Sequence, residues 1–305
     1  MQRKAKVCLE LDSRPGCVTL VRAMLAASAD TLGFEPELLD DLKTAVSEAC
    51  NNVVVHAYNG EPGPLFVLLD VQEATVGVTV RDHGRGFQQV ISSEERMGVG
   101  LAVISALSDR VEVLGGKGGG TEVRMEFAST GAESSLAPSE ALPSPGDPAA
   151  GNLAGEISVT LVPVALLAGV MGRMARALAA SARFSFDRFS DIYLIADAIA
   201  AHAERSAGAN WIGFALGASD GKLELRVGPL RTGSGARLEQ ETAPARPRSP
   251  LRILVDQLVI EPGDGSETLL VVLADRRPDA FDEPEPEATG EPEATDEPEA
   301  GTSLV

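Results

Sequence analysis

The chain has 305 residues, 44% of them hydrophobic and only 4% aromatic, with a formal charge of -19 at pH 7. That length and composition suit two aliphatic-cored domains with an α/β flavour, while a surplus of acid, much of it at the C-terminal end, argues against a nucleic-acid or anionic-membrane partner. Cys8, Cys17 and Cys50 have no C-x-x-C or Cys/His spacing, so neither a disulfide framework nor a thiolate metal site is implied, and a reducing compartment fits.

The basic N-terminal stretch "MQRKAKVCLELDSR" is interrupted by charges before an apolar core can form, unlike a signal peptide. The apolar run "ISVTLVPVALLAGVMG" contains Pro163 and is shorter than a bilayer span; the expectation is a cytoplasmic protein. Hydrophobic periodicity then predicts helices over 18–32 and 36–56, strands over 65–72 and 75–82, a glycine-rich loop, a helix over 99–107, and strands over 110–114 and 121–127. Strands adjacent in sequence, with helices grouped before and between them, predict an α+β two-layer sandwich, a mixed sheet with helices on one face. Residues 1–127 form the first domain. Residues 128–155, small and rich in Pro, Gly and Ser, read as a flexible linker, and 278–305, with its "EPEA" repeats, reads as a disordered acidic tail.

On the second helix, Glu48, Asn52 and His56 are spaced four apart on one face, beside an apolar stripe of Ala45, Val46, Ala49 and Val53. The Asn52 carbonyl is a neutral hard oxygen suited to one position around Mg²⁺, an ion that takes other ligands from phosphates and water. Glu48, one turn away, can accept a proton from a hydroxyl or water near those phosphates. A buried polar ridge satisfied by backbone is the alternative. In "VRDHGRGF" a strand ends at Asp82 and gives way to Gly84 and Gly86, where the chain bends or admits another group. A carboxylate there can accept a hydrogen bond from an exocyclic amine such as that of adenine, although this pattern alone also suits an ordinary turn. In "GVGLAVISALSD", Gly98 and Gly100 open a helix whose free amides would face an anion. No strand leads into it and the third glycine of a dinucleotide fingerprint is missing; "GGKGGGT" lacks P-loop spacing.

The three boxes, in this order, resemble the GHKL ATPases, and "SEACNNVVVHAY" resembles the corresponding helix of RsbW-like anti-sigma factor serine/threonine kinases. The resemblance covers essentially all of residues 1–127. It implies ATP and Mg²⁺, with Asn52 holding the metal and Glu48 as base for a substrate serine. It further implies Asp82 on adenine, Gly84 and Gly86 giving the base room, and Gly98, Gly100 and the Leu101 amide along the phosphates. Thr121 would support the adenine end, and residues 88–97 would be a short lid. Arg22 is the candidate for a family arginine near the phosphates. The partners implied are an anti-sigma antagonist, a small STAS-like domain with a serine at a helix N-terminus, and a sigma factor. A binding module in which ATP gates docking without kinase activity is the alternative; a histidine kinase is disfavoured, since no helical hairpin with a phosphoacceptor histidine precedes the boxes.

The plan of 1–127 recurs in 156–277, with "RALAASARFSFDRFSDI" from Arg176 set against the segment from Arg22, and His202-Ala203 set against His56-Ala57. The repeat's long helix has no Asn, "RVGPLRTG" lacks the acid, and Pro250 stands where a phosphate-binding glycine would be. A degenerate repeat that folds without binding ATP is expected, paired with the first half as an intramolecular pseudo-dimer or else belonging to a dimer.

Overall fold

The structure is a computed structural model; it describes residues 4–86, 99–116, 119–129, 142–143, 153, 155–219, 221–242 and 251–275. The chain begins with a strand that the sequence reading missed, β1 (Ala5–Asp12). Val7, Leu9 and Leu11 alternate onto the helix-covered face and are buried, while Lys6, on the other face, pairs with Asp70 at 3.4 Å. The charges that break an apolar run are therefore the outward half of a period-two strand.

Helix α1 (Cys17–Leu32) stops at Gly33, which is left-handed at φ 68° and donates its N–H to the Ala29 carbonyl, a conformation glycine adopts without a Cβ penalty. Pro36 starts α2 (Pro36–His56) at a position that needs no N–H donor. Leu42, Ala45, Val46, Ala49 and Val53 form its buried stripe, and at the last turns Ala49 and Val53 of that stripe continue with Asn52 and His56 into the wall of a cavity. Then follow β2 (Pro64–Val71), β3 (Thr75–Asp82), α3 (Val99–Leu107), β4 (Arg110–Gly115) and β5 (Thr121–Ala128). The helices and the sheet make the expected two layers. Every ladder among the described residues is antiparallel, where the sequence reading has a mixed sheet. The reason is topological: the connection from β3 through α3 leads to β4, and β5 lies between those two strands.

The second half consists of β6 (Ile157–Val162), a 3₁₀ turn (Val164–Leu166), α4 (Leu167–Ser181), α5 (Phe186–Ser206), β7 (Ile212–Ser219), β8 (Lys222–Arg231), α6 (Ser234–Thr242), α7 (Leu251–Leu254), β9 (Gln257–Pro262) and β10 (Ser266–Ala274). All ten strands form one sheet in the order β4-β5-β3-β2-β1-β6-β7-β8-β10-β9. Read outward from the β1–β6 pair, the two halves have the same order, so they are related by a local twofold. Individual bonds recur as well. Phe34 N–H bonds Ala29 C=O, as Phe184 bonds Ala179, and Ala57 N–H bonds Val53 C=O, as Ala207 bonds Ala203. The left-handed Gly33 is matched by Arg183, and the Ala128 amide on Asp109 by the Ala274 amide on Asp256. Through the helical hairpin the halves are therefore 150 positions apart. The sequence reading, which set His56 against His202, slips by one helical turn: His202 is the counterpart of Asn52, and Ser206 of His56.

The halves meet through β1 with β6 and α1 with α4, and Arg173 of α4 bonds the Asp30 carboxylate of α1. Leu9, Val21, Met24, Val159, Leu161, Val170 and Met174 are all fully buried in the continuous core, where such a side chain contributes about 1.5–3 kcal/mol. Among the described residues, Val164–Ser181 is the helical stretch apolar and long enough to cross a membrane, and half of it is buried within the protein. Of residues 128–155, Pro143 and Leu153 are held on the sheet's other face by Thr160 Oγ1 and Ser158 Oγ, each at 2.9 Å.

Candidate functional site

Helix α2 crosses the end of the sheet where β3 terminates, and between them lies a cavity of about 310 Å³, within the range of small-molecule clefts. Asn52, Asp82, Gly86, Gly100, Leu101 and Thr121 line it, so residues from both helices, a strand end and a loop converge although they span 70 positions of sequence. His56 also reaches the wall, and Val53, Val80, Val113 and Val123 supply apolar surface. One end of the cavity is thus lined by aliphatic groups fit for a flat ring, with a buried carboxylate among them.

That carboxylate is Asp82, 2% exposed at the end of β3. Its Oδ1 accepts the Gly84 N–H at 2.7 Å, which fixes the side chain and leaves Oδ2 for a further donor. The loop after it fits only because three residues lack a Cβ. A Cβ on Gly84 would lie 2.3 Å from the Ala57 carbonyl oxygen, one on Gly86 2.0 Å from that of Gly116, and one on Gly120 2.2 Å from that of Asp82. Gly84 therefore packs the loop against the end of α2, whereas Gly86, at φ 76°, faces the cavity. Sequence reasoning gave both the same role and did not single out Gly120.

Glu48 lies one turn before Asn52, partly buried beside the start of α3: a Cβ on Gly100 would fall 2.1 Å from its Oε1. The base candidate and the helix start that carries Gly100 and Leu101 are in contact. Gly98 and the 88–97 segment lie outside the described residues, as does Lys117. Arg22 reaches α2 on the turn before Glu48, donating to Ser47 Oγ at 3.1 Å and to the Lys43 carbonyl at 3.4 Å. His83 is exposed, its ring 5.0 Å from that of Phe66.

The end of α2 is tied to the Asp82–Gly86 loop by residues to which sequence reasoning gave no role. Tyr58 Oη accepts the His83 N–H at 2.8 Å and donates to the Pro64 carbonyl at 2.6 Å; burial holds this phenol above its ordinary range, which keeps it a donor. Arg85 donates to the His56 carbonyl and to Asn59 Oδ1, both at 2.7 Å.

In the second half the corresponding place is filled. His202, 1% exposed, has Glu241 of α6 3.8 Å from its Nδ1, and Leu238 of α6 is buried. Glu267 accepts bonds from the Gly233 and Gly235 amides and the Ser234 hydroxyl at 2.6–2.8 Å, so a carboxylate of the chain itself occupies the start of α6. Gly233 is left-handed like Gly86.

A family model of the histidine kinase-like ATPase domain matches residues 11–127. Serine-protein kinase RsbW of Bacillus thuringiensis (strain Al Hakam) is 26% identical over 132 residues, 39% of this chain and 82% of the relative, and RsbW of Bacillus anthracis (strain A0248) matches to the same extent. Among solved structures, the RsbU and RsbW domains of Rv1364c from Mycobacterium tuberculosis align at 24% identity and a TM-score of 0.33, over 40% of this chain and 31% of that one. The histidine kinase domain of a blue-light activated kinase from Erythrobacter litoralis EL346 aligns at 26% identity and a TM-score of 0.27, over 30% and 47% of the two chains.

Proposed function

We propose that this chain, whose residues 11–127 match the histidine kinase-like ATPase domain and are similar to RsbW serine-protein kinases, is an ATP-dependent serine/threonine kinase of a partner-switching system. Its protein substrate would be an anti-sigma antagonist, and a sigma factor its second partner. The observation that carries the reading is the convergence of Asn52, Asp82, Gly86, Gly100, Leu101 and Thr121 on one cavity, with Glu48 against Gly100.

The residues present suit an adenine nucleotide with Mg²⁺. The Asp82 carboxylate, among valine side chains, would accept from the adenine amine, Gly86 and Thr121 would border the base, and the start of α3 at Gly100 and Leu101 would border the phosphates. Asn52 is the side chain that would hold Mg²⁺, whose charge offsets that of the triphosphate. Glu48 accepts the proton of a docked serine hydroxyl as its oxygen bonds to the γ-phosphorus and the bond to the β-phosphate oxygen breaks, releasing ADP. Positioning and charge neutralisation are what this chemistry asks of a protein.

The direct test is incubation with Mg-ATP and a purified antagonist domain bearing a helix-N-terminal serine. Phosphate is expected on that serine; ATP binding without transfer counts against the kinase reading. The second reading, an ATP-gated binding module, predicts that Glu48→Gln keeps full biological activity, whereas the kinase reading predicts its loss. Because ATP is the phosphoryl donor, we place the chain in the cytoplasm.

For the second half we propose a degenerate GHKL-like domain that takes no nucleotide and stands where a second protomer would. His202 replaces Asn52, α6 covers the equivalent cleft, and the β1–β6 and α1–α4 contacts use equivalent elements from each half. A monomer binding one ATP is the expected result of light scattering and titration calorimetry; a stable dimer, or two ATP per chain, would overturn it.

A further inference from the structure

We infer that Tyr58 and Arg85 are positioning residues which set the distance between the metal and adenine ends of the cleft; this rests on the ATP-binding reading above. Asn52 belongs to α2, and Asp82 to the end of β3. Those two elements are joined near the cleft by the end of α2 and the His83–Gly86 loop, through one main-chain bond and the side chains of Tyr58 and Arg85. Tyr58 Oη bridges the His83 amide and the Pro64 carbonyl. The Arg85 guanidinium bridges the His56 carbonyl and the Asn59 side chain, while its own amide bonds the Ala57 carbonyl at 3.1 Å. A guanidinium at the C-terminus of α2 also places positive charge at the helix's negative end, on the His56 carbonyl.

Gly63 makes room for the joint, since a Cβ there would meet the Tyr58 ring at 2.5 Å.

The internal repeat supplies a control for a purely structural role. The counterpart of Tyr58, 150 positions on, is Gly208, and aligning the left-handed Gly86 with Gly233 puts Thr232 in the place of Arg85. At the equivalent place the second half has main-chain links, the Ala207–Leu230 bridge and the Gly208 N–H to the Pro229 carbonyl at 3.0 Å, with no tyrosine or arginine at the two counterpart positions. The fold does not require the side-chain joint; the half with the open cleft is the half that has it.

A group that fixes the spacing of two subsites acts on a ligand touching both and spares a ligand touching one. In the full chain, Tyr58→Phe and Arg85→Ala should each weaken ATP about fivefold, the worth of a hydrogen bond or two. Adenosine, measured by displacement of a fluorescent ATP analogue, should change less than twofold, and Arg85→Lys should recover part of the ATP loss. Melting temperatures recorded alongside report any general loosening of the fold. Unchanged ATP affinity in both variants, or equal losses for ATP and adenosine, would overturn the inference while leaving ATP binding intact. A wild-type chain that binds no ATP would overturn the reading of the cleft and this inference with it.

Discussion

Gly100 leaves no room for a side chain beside Glu48: a Cβ built on it would come within 2.1 Å of Glu48 Oε1 and 2.9 Å of Cδ. The obstructed atoms are the free end of a flexible side chain, so Gly100→Ala is accommodated by moving the carboxylate rather than the backbone. Alanine also favours α3, by up to about 1 kcal/mol over glycine. The expected outcome is a chain as stable as wild type, within about 1 kcal/mol, whose phosphotransfer falls about 100-fold, as it would in Glu48→Gln. Thermal melts and single-turnover phosphorylation with the antagonist domain check the pair. Wild-type rates in Gly100→Ala would remove Glu48 from the chemistry.

Gly86 behaves in the opposite way. Its obstruction is the Gly116 carbonyl at 2.0 Å, and its φ is +76°, so neither the neighbour nor the backbone yields easily. Gly86→Ala should destabilise the chain by about 1–3 kcal/mol and weaken ATP at the same time. Urea titration with and without ATP separates the two losses.

Asp82→Asn is milder for the fold. An amide oxygen can still accept the Gly84 N–H that Asp82 Oδ1 now holds at 2.7 Å, so the loop keeps its anchor. The adenine amine would meet a group that no longer offers only acceptors. ATP affinity should drop about tenfold or more with little change in melting temperature, and calorimetric titration reads both.

Most of this geometry was legible as pattern. The bounds of α2, β3 and α3 were readable because each has strong periodicity and a clear stop, and the polar face at Glu48 and Asn52 followed from four-residue spacing. Strand β1 was hidden because Lys6 and Glu10 look like interruptions unless the buried Val7, Leu9 and Leu11 are read as the inner half of a strand. The repeat was visible but its register was not. A slip of four residues returns a helix almost to the same face, so His202 could be set against His56 as well as against Asn52. The paired bonds of Phe34 and Phe184 and of Ala57 and Ala207, with the left-handed Gly33 and Arg183, decide between them. The Tyr58–Arg85 joint was illegible for a related reason, since side chains bonding to main-chain carbonyls leave no periodic signature.

Arg188 offers a stability prediction remote from the cleft. It is 1% exposed, and it donates to Asp256 at 2.7 Å, Asp191 at 3.0 Å, and the Ala274 and Leu254 carbonyls. This fastens the start of α5 to the strands β9 and β10. Truncation removes the guanidinium from Asp191 and the two carbonyls and leaves Asp256 Oδ2 with the Ala274 N–H alone, so Arg188→Ala should lose about 2–4 kcal/mol in denaturant titration. Arg188→Met, which keeps the stem but not the charge, should lose less.

His202 makes the stability of the second half depend on pH. Burial lowers its pKa below the ordinary value, outweighing the pull of Glu241, and among the described residues neither ring nitrogen has a hydrogen-bond partner. Glu241 and Arg237 face it from α6, and Arg205 from its own helix. Since the folded pKa lies below the unfolded one, the unfolded chain binds more protons as the pH falls through about 6.5. Stability conferred by the neutral ring is therefore present above that value and declines as the pH drops toward the depressed folded pKa. The melting temperature of wild type should fall more between pH 7.5 and 5.5 than that of His202→Gln, whose side chain has no proton to gain. Parallel decline in both proteins would assign the acid sensitivity to other groups.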